Sequence, residues 1–204
     1  MKLYPLFVLM AAATVLTPGP GVLMTLSNAL RFGLRGTFGG IAGIACGAMI
    51  VAALSATSVG VVLATSAIAF TILKYIGAAY LFYLGIRLWR SPGLPLKTAA
   101  DSKPVSFRKR FLEGFSLQFT NPKAIFFFLS IFPQFIDHER SFGIQFAILV
   151  LTYSLLVLII HSIYAVFAGK TRHWLTSEKG GKILNRSGAA CFMFFGAAMA
   201  TAKR

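Results

Sequence analysis

The sequence predicts an all-α polytopic membrane protein with about six transmembrane helices, arranged as two inverted three-helix repeats. Three observations support this. First, 57% of the 204 residues are hydrophobic and 12% are charged, whereas soluble domains carry about 25% charged residues. A water-soluble chain of this length has too little interior to hide so much apolar surface, but lipid can solvate it. Second, the charges gather in short segments between apolar runs, and a run of about 20 apolar residues crosses a bilayer as a helix. Third, prolines interrupt two of these runs at matching places, Thr17-Pro18-Gly19-Pro20 and Thr120-Asn121-Pro122-Lys123.

Taken in order, the first helix is expected at about Leu3–Leu30 and the second at about Thr37–Ser58 or a little beyond. No charge separates the second run from the third between Arg35 and Lys74, so that boundary is the least sharp. The third helix is expected at about Ala67–Leu88, followed by a basic loop with Pro92, Pro95 and Pro104. The remaining three are expected at about Phe111–Ile136, Phe142–Ala168 and Ile183–Thr201. The whole chain, 1–204, reads as one membrane domain, with one half at about 1–90, a basic cytoplasmic linker at about 91–110 and a second half at about 111–204. Met1–Ala13 has the look of a signal peptide, but the apolar run continues uncharged to Leu30, so it is read as an uncleaved first helix.

A net charge of +15 first suggests nucleic acid. The basic residues instead lie in links between apolar runs, as in cytoplasmic loops, and exclude that reading. Links one–two, three–four and five–six hold about 14 Lys and Arg, against about four at the ends and in the other links. The positive-inside rule then places both termini outside. Cys46 and Cys191 are far apart in apolar runs and read as packing residues. No Cys/His cluster supports a metal or a cofactor.

Helix two carries Gly39, Gly43 and Gly47 on one face, a small-residue stripe suited to close helix packing. Helix three has Gly77-Ala78-Ala79 with Gly85 eight residues after Gly77, and helix six has Gly188-Ala189-Ala190 with Gly196 at the same spacing. These glycine marks and the two proline breaks recur in the same order. They suggest two related halves, and an odd number of helices per half inverts the second in the membrane, a transporter pattern.

Pro18, Pro20 and Pro122 free or weaken the carbonyls of Thr14, Leu16 and Gln118. Unpaired backbone at membrane depth must face protein or a watery cavity. Thr17, Pro18, Gly19, Pro20, Gln118, Asn121, Pro122 and Lys123 therefore form the candidate substrate site. Lys123 near the bilayer centre costs at least about 2.5–3.5 kcal/mol and should face inward. It reads equally as a substrate-carboxylate contact or as a donor to the freed carbonyls. His161 is the proton-coupling candidate, since it titrates near neutrality and the apolar runs hold no carboxylate. A hydrogen-bonded packing histidine is the plainer alternative. Asn28 and Tyr153 are further candidate hydrogen-bonding groups, and Glu113 is expected to pair with the Arg108–Arg110 run.

Thr17-Pro18-Gly19-Pro20, the run from Lys74-Tyr75-Ile76-Gly77-Ala78-Ala79-Tyr80-Leu81 to Gly85, and Asn121-Pro122-Lys123 with Phe132-Pro133-Gln134-Phe135 resemble the lysine exporter (LysE/RhtB) family. Within it, the chain is most similar to the homoserine/threonine exporters. The resemblance spans nearly the whole length. It implies export of small amino acids across a bacterial inner membrane, driven by proton antiport. Two departures stand out: family members often have Asn where this chain has Gly21, and some have an acidic residue near Val157. The alternatives are a channel or non-transporting membrane subunit and, less favoured, an intramembrane redox protein. An enzyme is not expected. The expected partners are an amino-acid substrate and the lipid bilayer, and the pattern allows a homodimer.

Overall fold

Prolines decide where the first helix stops. A residue followed by proline is pushed out of the α region by the ring, and Thr17 takes φ −66°, ψ 134°. The computed structural model describes residues 3–65, 67–91, 106–137, 140–168, 170–171, 174 and 177–201. In it, α1 spans Tyr4–Leu16 and α2 spans Pro20–Thr65. Proline opens α2 without loss, because the first helical N–H has no partner within the helix.

The expected link between Leu30 and Thr37 is a single residue. Gly33, at φ 68° and ψ −175°, kinks α2, and helix continues on both sides of it. It is the one positive-φ residue among those described. Glycine alone enters that region without strain, so the chain turns there without a loop. The second stretch of α2 also runs past the expected Ser58 to Thr65. Helix α3 covers Ala67–Trp89, close to the expected span.

Helix α4 spans Phe107–Thr120 and starts four residues before the expected Phe111. Ser106 caps it by accepting the Lys109 N–H at 3.3 Å, which draws Arg108-Lys109-Arg110 into the first turn. Asn121, before Pro122, is extended at φ −85°, ψ 101°, and α5 (Pro122–Phe126) follows. A π-helical turn, Phe127–Ile131, and a 3₁₀ turn, Phe132–Phe135, continue the path. Pro133 cannot donate to the ladder, and the change of helical pitch absorbs that loss. Helix α6 spans Phe142–Ala168 as expected. Helix α7 spans Glu178–Thr201, opening before the expected Ile183 because the Ser177 hydroxyl accepts the Gly180 N–H at 3.1 Å.

Glycines set the packing. Helix α4 lies along the stripe of α2. A Cβ on Gly43 would run into the Phe111 carbonyl, one on Gly39 would stand 2.8 Å from the Phe107 carbonyl oxygen, and one on Gly47 would stand 2.7 Å from that of Phe115. Helices α3 and α7 meet in the same manner: a Cβ on Gly85 would come within 2.8 Å of Met193, and one on Gly196 within 3.2 Å of the Ala78 carbonyl. Gly77 belongs to α3, but its surroundings lie outside the described residues, as do the side chain of Lys74 and the loop prolines Pro92, Pro95 and Pro104. Phe7 of α1 sits among Phe127, Phe132 and Phe135, with ring centroids 5.3–6.0 Å away. Tyr153 of α6 packs on Phe127 and Phe128.

The outer faces have the character that lipid requires. Along α6, Leu149, Tyr153, Val157 and His161 are buried, whereas Ile148, Leu151, Leu155, Ile159 and Ile163 are exposed. A helix on a water-facing protein would be polar on that second face. Among the described residues two helical stretches, Pro20–Ala56 and Phe142–Ala168, are long and apolar enough to cross a membrane, and Tyr4–Leu16 and Lys123–Phe135 are shorter apolar helices. Cys46 and Cys191 are exposed on the outer surface, not packed as expected.

Candidate functional site

The two proline breaks are joined by one side chain. Lys123 follows the second break, and its Nζ donates to the carbonyl oxygens of Thr14 and Thr17 at the first, both at 2.8 Å. Thr14 O is the acceptor that Pro18 leaves without its helical N–H, since a proline removes the bond to the carbonyl four residues back. Pro20 does the same to Leu16 O, which accepts the Tyr164 hydroxyl of α6 at 2.6 Å. Gly19 lets the lysine approach: a Cβ there would stand 3.1 Å from Lys123 Nζ. Among the described residues no carboxylate forms a salt bridge with Lys123, so backbone dipoles carry the burden of its charge.

The second break satisfies itself. The Asn121 side chain accepts the Lys123 N–H at 3.2 Å and donates to Gln118 Oε1 at 3.0 Å. The Gln118 carbonyl, which Pro122 deprives of its helical partner, meets the Asn121 N–H at 3.4 Å. Gln118 itself is buried against Gly47, so its amide serves the break and the α2–α4 contact. Thr17, Gly19 and Lys123 are thus brought together, and Thr17 and Pro18 lie against α7: a Cβ on Gly188 would meet Thr17 Cγ2 at 2.8 Å and Pro18 Cδ at 3.1 Å. Pro20 lies at the same break but is exposed. The Pro122 side chain lies outside the described residues.

His161 is buried, and its Nδ1 shares a 2.7 Å hydrogen bond with Thr25 Oγ1 of α2. Its ring lies over Gly21, where a Cβ would stand 3.3 Å from Cε1. The absence of a side chain at position 21 is what gives the imidazole its room. Gly21, against the imidazole, is two residues from Gly19, against the Lys123 ammonium.

A second polar group lies where α4 meets the first stretch of α2. Arg110 Nη1 donates to Asn28 Oδ1 at 3.1 Å and to Glu113 at 2.7 Å, and its guanidinium lies 4.2 Å from the Phe32 ring centroid. Glu113 pairs with this basic run as expected, and Asn28 joins it and not the proline breaks. Tyr153, also considered for hydrogen bonding, sits among phenylalanine rings.

Sequence reasoning missed Tyr164 and Thr25 as partners, and the bond from Arg110 to Asn28. Tyr164 had one available signal: it lies three residues after His161, hence on the same helix face. Among the described residues, no group of His, Cys, Asp and Glu is arranged to hold a metal ion.

Comparison with known proteins agrees with this arrangement. The family model described as LysE type translocator matches residues 12–203. A homoserine/homoserine lactone efflux protein from Salmonella typhi is 35% identical over 97% of this chain and 95% of its own length. An uncharacterized membrane protein from Vibrio cholerae is 34% identical over 97% of this chain and 96% of its own. A leucine efflux protein from Salmonella choleraesuis is 32% identical over 92% of this chain and 89% of its own. No solved structure matches. The resemblance read from the proline and glycine motifs therefore holds along nearly the entire chain, which belongs to the LysE type translocator family: a membrane transporter, not an enzyme.

Proposed function

We propose that the protein exports small amino acids, of the homoserine, threonine or leucine kind, from a bacterial cytoplasm by proton antiport with alternating access. The observation that carries this is the Lys123 ammonium held by the Thr14 and Thr17 carbonyls at the opposite break. An amino acid is a zwitterion, so its site must offer a positive charge with donors for the carboxylate and acceptors for the ammonium. Lys123 supplies the first, and the carbonyls it occupies supply the second. Substrate binding exchanges partners: the lysine turns to the carboxylate, and the carbonyls it releases accept the substrate ammonium. Neither the free nor the loaded site then leaves a buried charge unpaired, which would be costly.

Six membrane crossings in two inverted halves, with both termini outside, fit this mechanism. The helix contacts support the repeat. Exchanging crossing one with four, two with five and three with six maps the α3–α7 pair onto itself and the α2–α4 contact onto the α1–α6 contact, and each of these pairs is present. The relatives named for homoserine and leucine efflux support the substrate class.

His161 carries the proton. It faces Thr25 and the Gly21 backbone of α2, two residues from Gly19, where the Lys123 ammonium lies. A proton gained there adds positive charge near Lys123 and weakens the hold of the Thr14 and Thr17 carbonyls on its ammonium. The purified protein in liposomes should show saturable counterflow of homoserine, threonine or leucine, accelerated by an inward proton gradient. His161→Gln should keep exchange of labelled for unlabelled substrate while losing the response to the gradient. Non-saturable flux would identify a channel instead, and a normal gradient response in His161→Gln would return the histidine to packing.

A further inference from the structure

We infer that Asn185 of α7 contacts the substrate, its carboxamide receiving the head-group of the amino acid. Asn185 is 1% exposed, and neither its Nδ2 nor its Oδ1 has a hydrogen-bond partner among the described residues. The other buried polar side chains of this kind lack one partner each: Asn28 at Nδ2, Arg110 at Nε and Tyr80 at its hydroxyl. Asn28 and Arg110 satisfy each other through their remaining groups. Among the described residues Asn185 alone has both ends of a buried amide unpaired, although a buried donor or acceptor without a partner is costly to the fold. An amide kept for architecture would bond a neighbouring backbone or side chain.

Its place in the fold indicates what it meets. Asn185 and Gly188 are three residues apart and share a face of α7. At Gly188 that face touches Thr17 and Pro18 of the first break, as a Cβ there would stand within 3.1 Å of both. The preceding residue, Leu184, packs on the cluster of Val22, Leu26, Ala165 and Ala168. Asn185 therefore lies between the break and the first turns of α2. Lys123 enters the same break from α5.

The chemistry matches an amino-acid head-group. A carboxamide presents a donor and an acceptor side by side, and an α-amino acid presents a carboxylate and an ammonium on one carbon. Lys123 has donors only, and the Thr14 and Thr17 carbonyls are acceptors only. Asn185 can donate to the carboxylate through Nδ2 while Oδ1 accepts from the ammonium, which orients the zwitterion between the other two groups. This role presupposes the export function proposed above and adds a third group that reads the head-group.

The test uses the full-length protein in liposomes, with homoserine, threonine and leucine as probes. Asn185→Leu keeps the volume and removes the amide. It should assemble and melt at or above the wild-type temperature, because an unpaired polar group has been removed from the interior. Its KM for the transported probe should rise at least about tenfold, and the stabilisation of the protein by that probe should disappear. Asn185→Ala serves as the second variant. An Asn185→Leu protein with the wild-type KM overturns the assignment while leaving the export function standing. Failure of both variants to assemble overturns it too, since the amide would then serve the fold. A wild-type protein that moves none of the three probes overturns the export function and this role with it.

Discussion

The two proline breaks have the same local cause and opposite means of repair. In each, a residue before proline is forced into extended backbone, Thr17 in one and Asn121 in the other. The second break is closed by its own residues, with Asn121 capping α5 and binding Gln118. The first has no side-chain cap of this kind. Its Thr14 and Thr17 carbonyls borrow Lys123 from α5, and its Leu16 carbonyl borrows Tyr164 from α6. A self-contained break is a fixed mount. A break satisfied from two other helices can trade partners, and it responds when those helices move. The contrast fits the proposed site, in which the second break would present the lysine and the first would receive the ligand.

The largest effect should come from Lys123. Lys123→Gln removes the charge and keeps an amide donor, so the protein should still insert and assemble. A charged hydrogen bond contributes up to about 3 kcal/mol, or roughly a hundredfold in affinity, and export of zwitterions should fall by about that factor, measured as initial efflux from loaded vesicles. Wild-type export by a properly assembled Lys123→Gln protein would reduce the lysine to a plug for the first break.

Tyr164→Phe should have an intermediate effect. It deletes one donor to the Leu16 carbonyl and changes nothing else in shape, at a cost of about 1 kcal/mol. The melting temperature in detergent should drop by roughly 2–4 °C, and export should fall severalfold because the first break loses one of its two outside supports. An unchanged melting temperature and rate would mean that this break does not depend on α6.

The smallest functional effect is expected at the second break. Asn121→Ala removes the α5 cap at about 1 kcal/mol, a loss of stability comparable to that of Tyr164→Phe. Export, however, should stay within roughly twofold of wild type, because no ligand group is lost. A collapse of export in this variant would erase the contrast between the two breaks.

The legible parts of the fold were those written in local chemistry. The α6 span follows from an apolar run bounded by Arg140 and Lys170, and the end of α3 from Arg90 and Pro92. Both breaks are visible because proline acts on its immediate neighbours whatever surrounds them. Helices α4 and α7 start earlier than composition predicts, because Ser106 and Ser177 cap helices inside stretches that composition alone reads as polar loop. The link from Arg31 to Gly36 vanished into a kink because one glycine in the left-handed region can replace a whole turn. In the site, Lys123 and the carbonyls of Thr14 and Leu16 were named from sequence. Tyr164 and Asn185 were not, because a single tyrosine or asparagine in an apolar helix has no pattern until its surroundings are known.

By itself the sequence determined that this chain lives in a membrane, where its helices break and which carbonyls each proline sets free. Those are consequences of composition and covalent geometry, and they act over a few residues. The tertiary structure alone decided which donors repair the damage. The choice of Lys123 for Thr14 and Thr17, of Tyr164 for Leu16 and of Thr25 for His161 joins residues more than 100 positions apart. Such pairings depend on how glycine faces let whole helices approach, so they emerge only when α4 settles on α2 and α7 on α3.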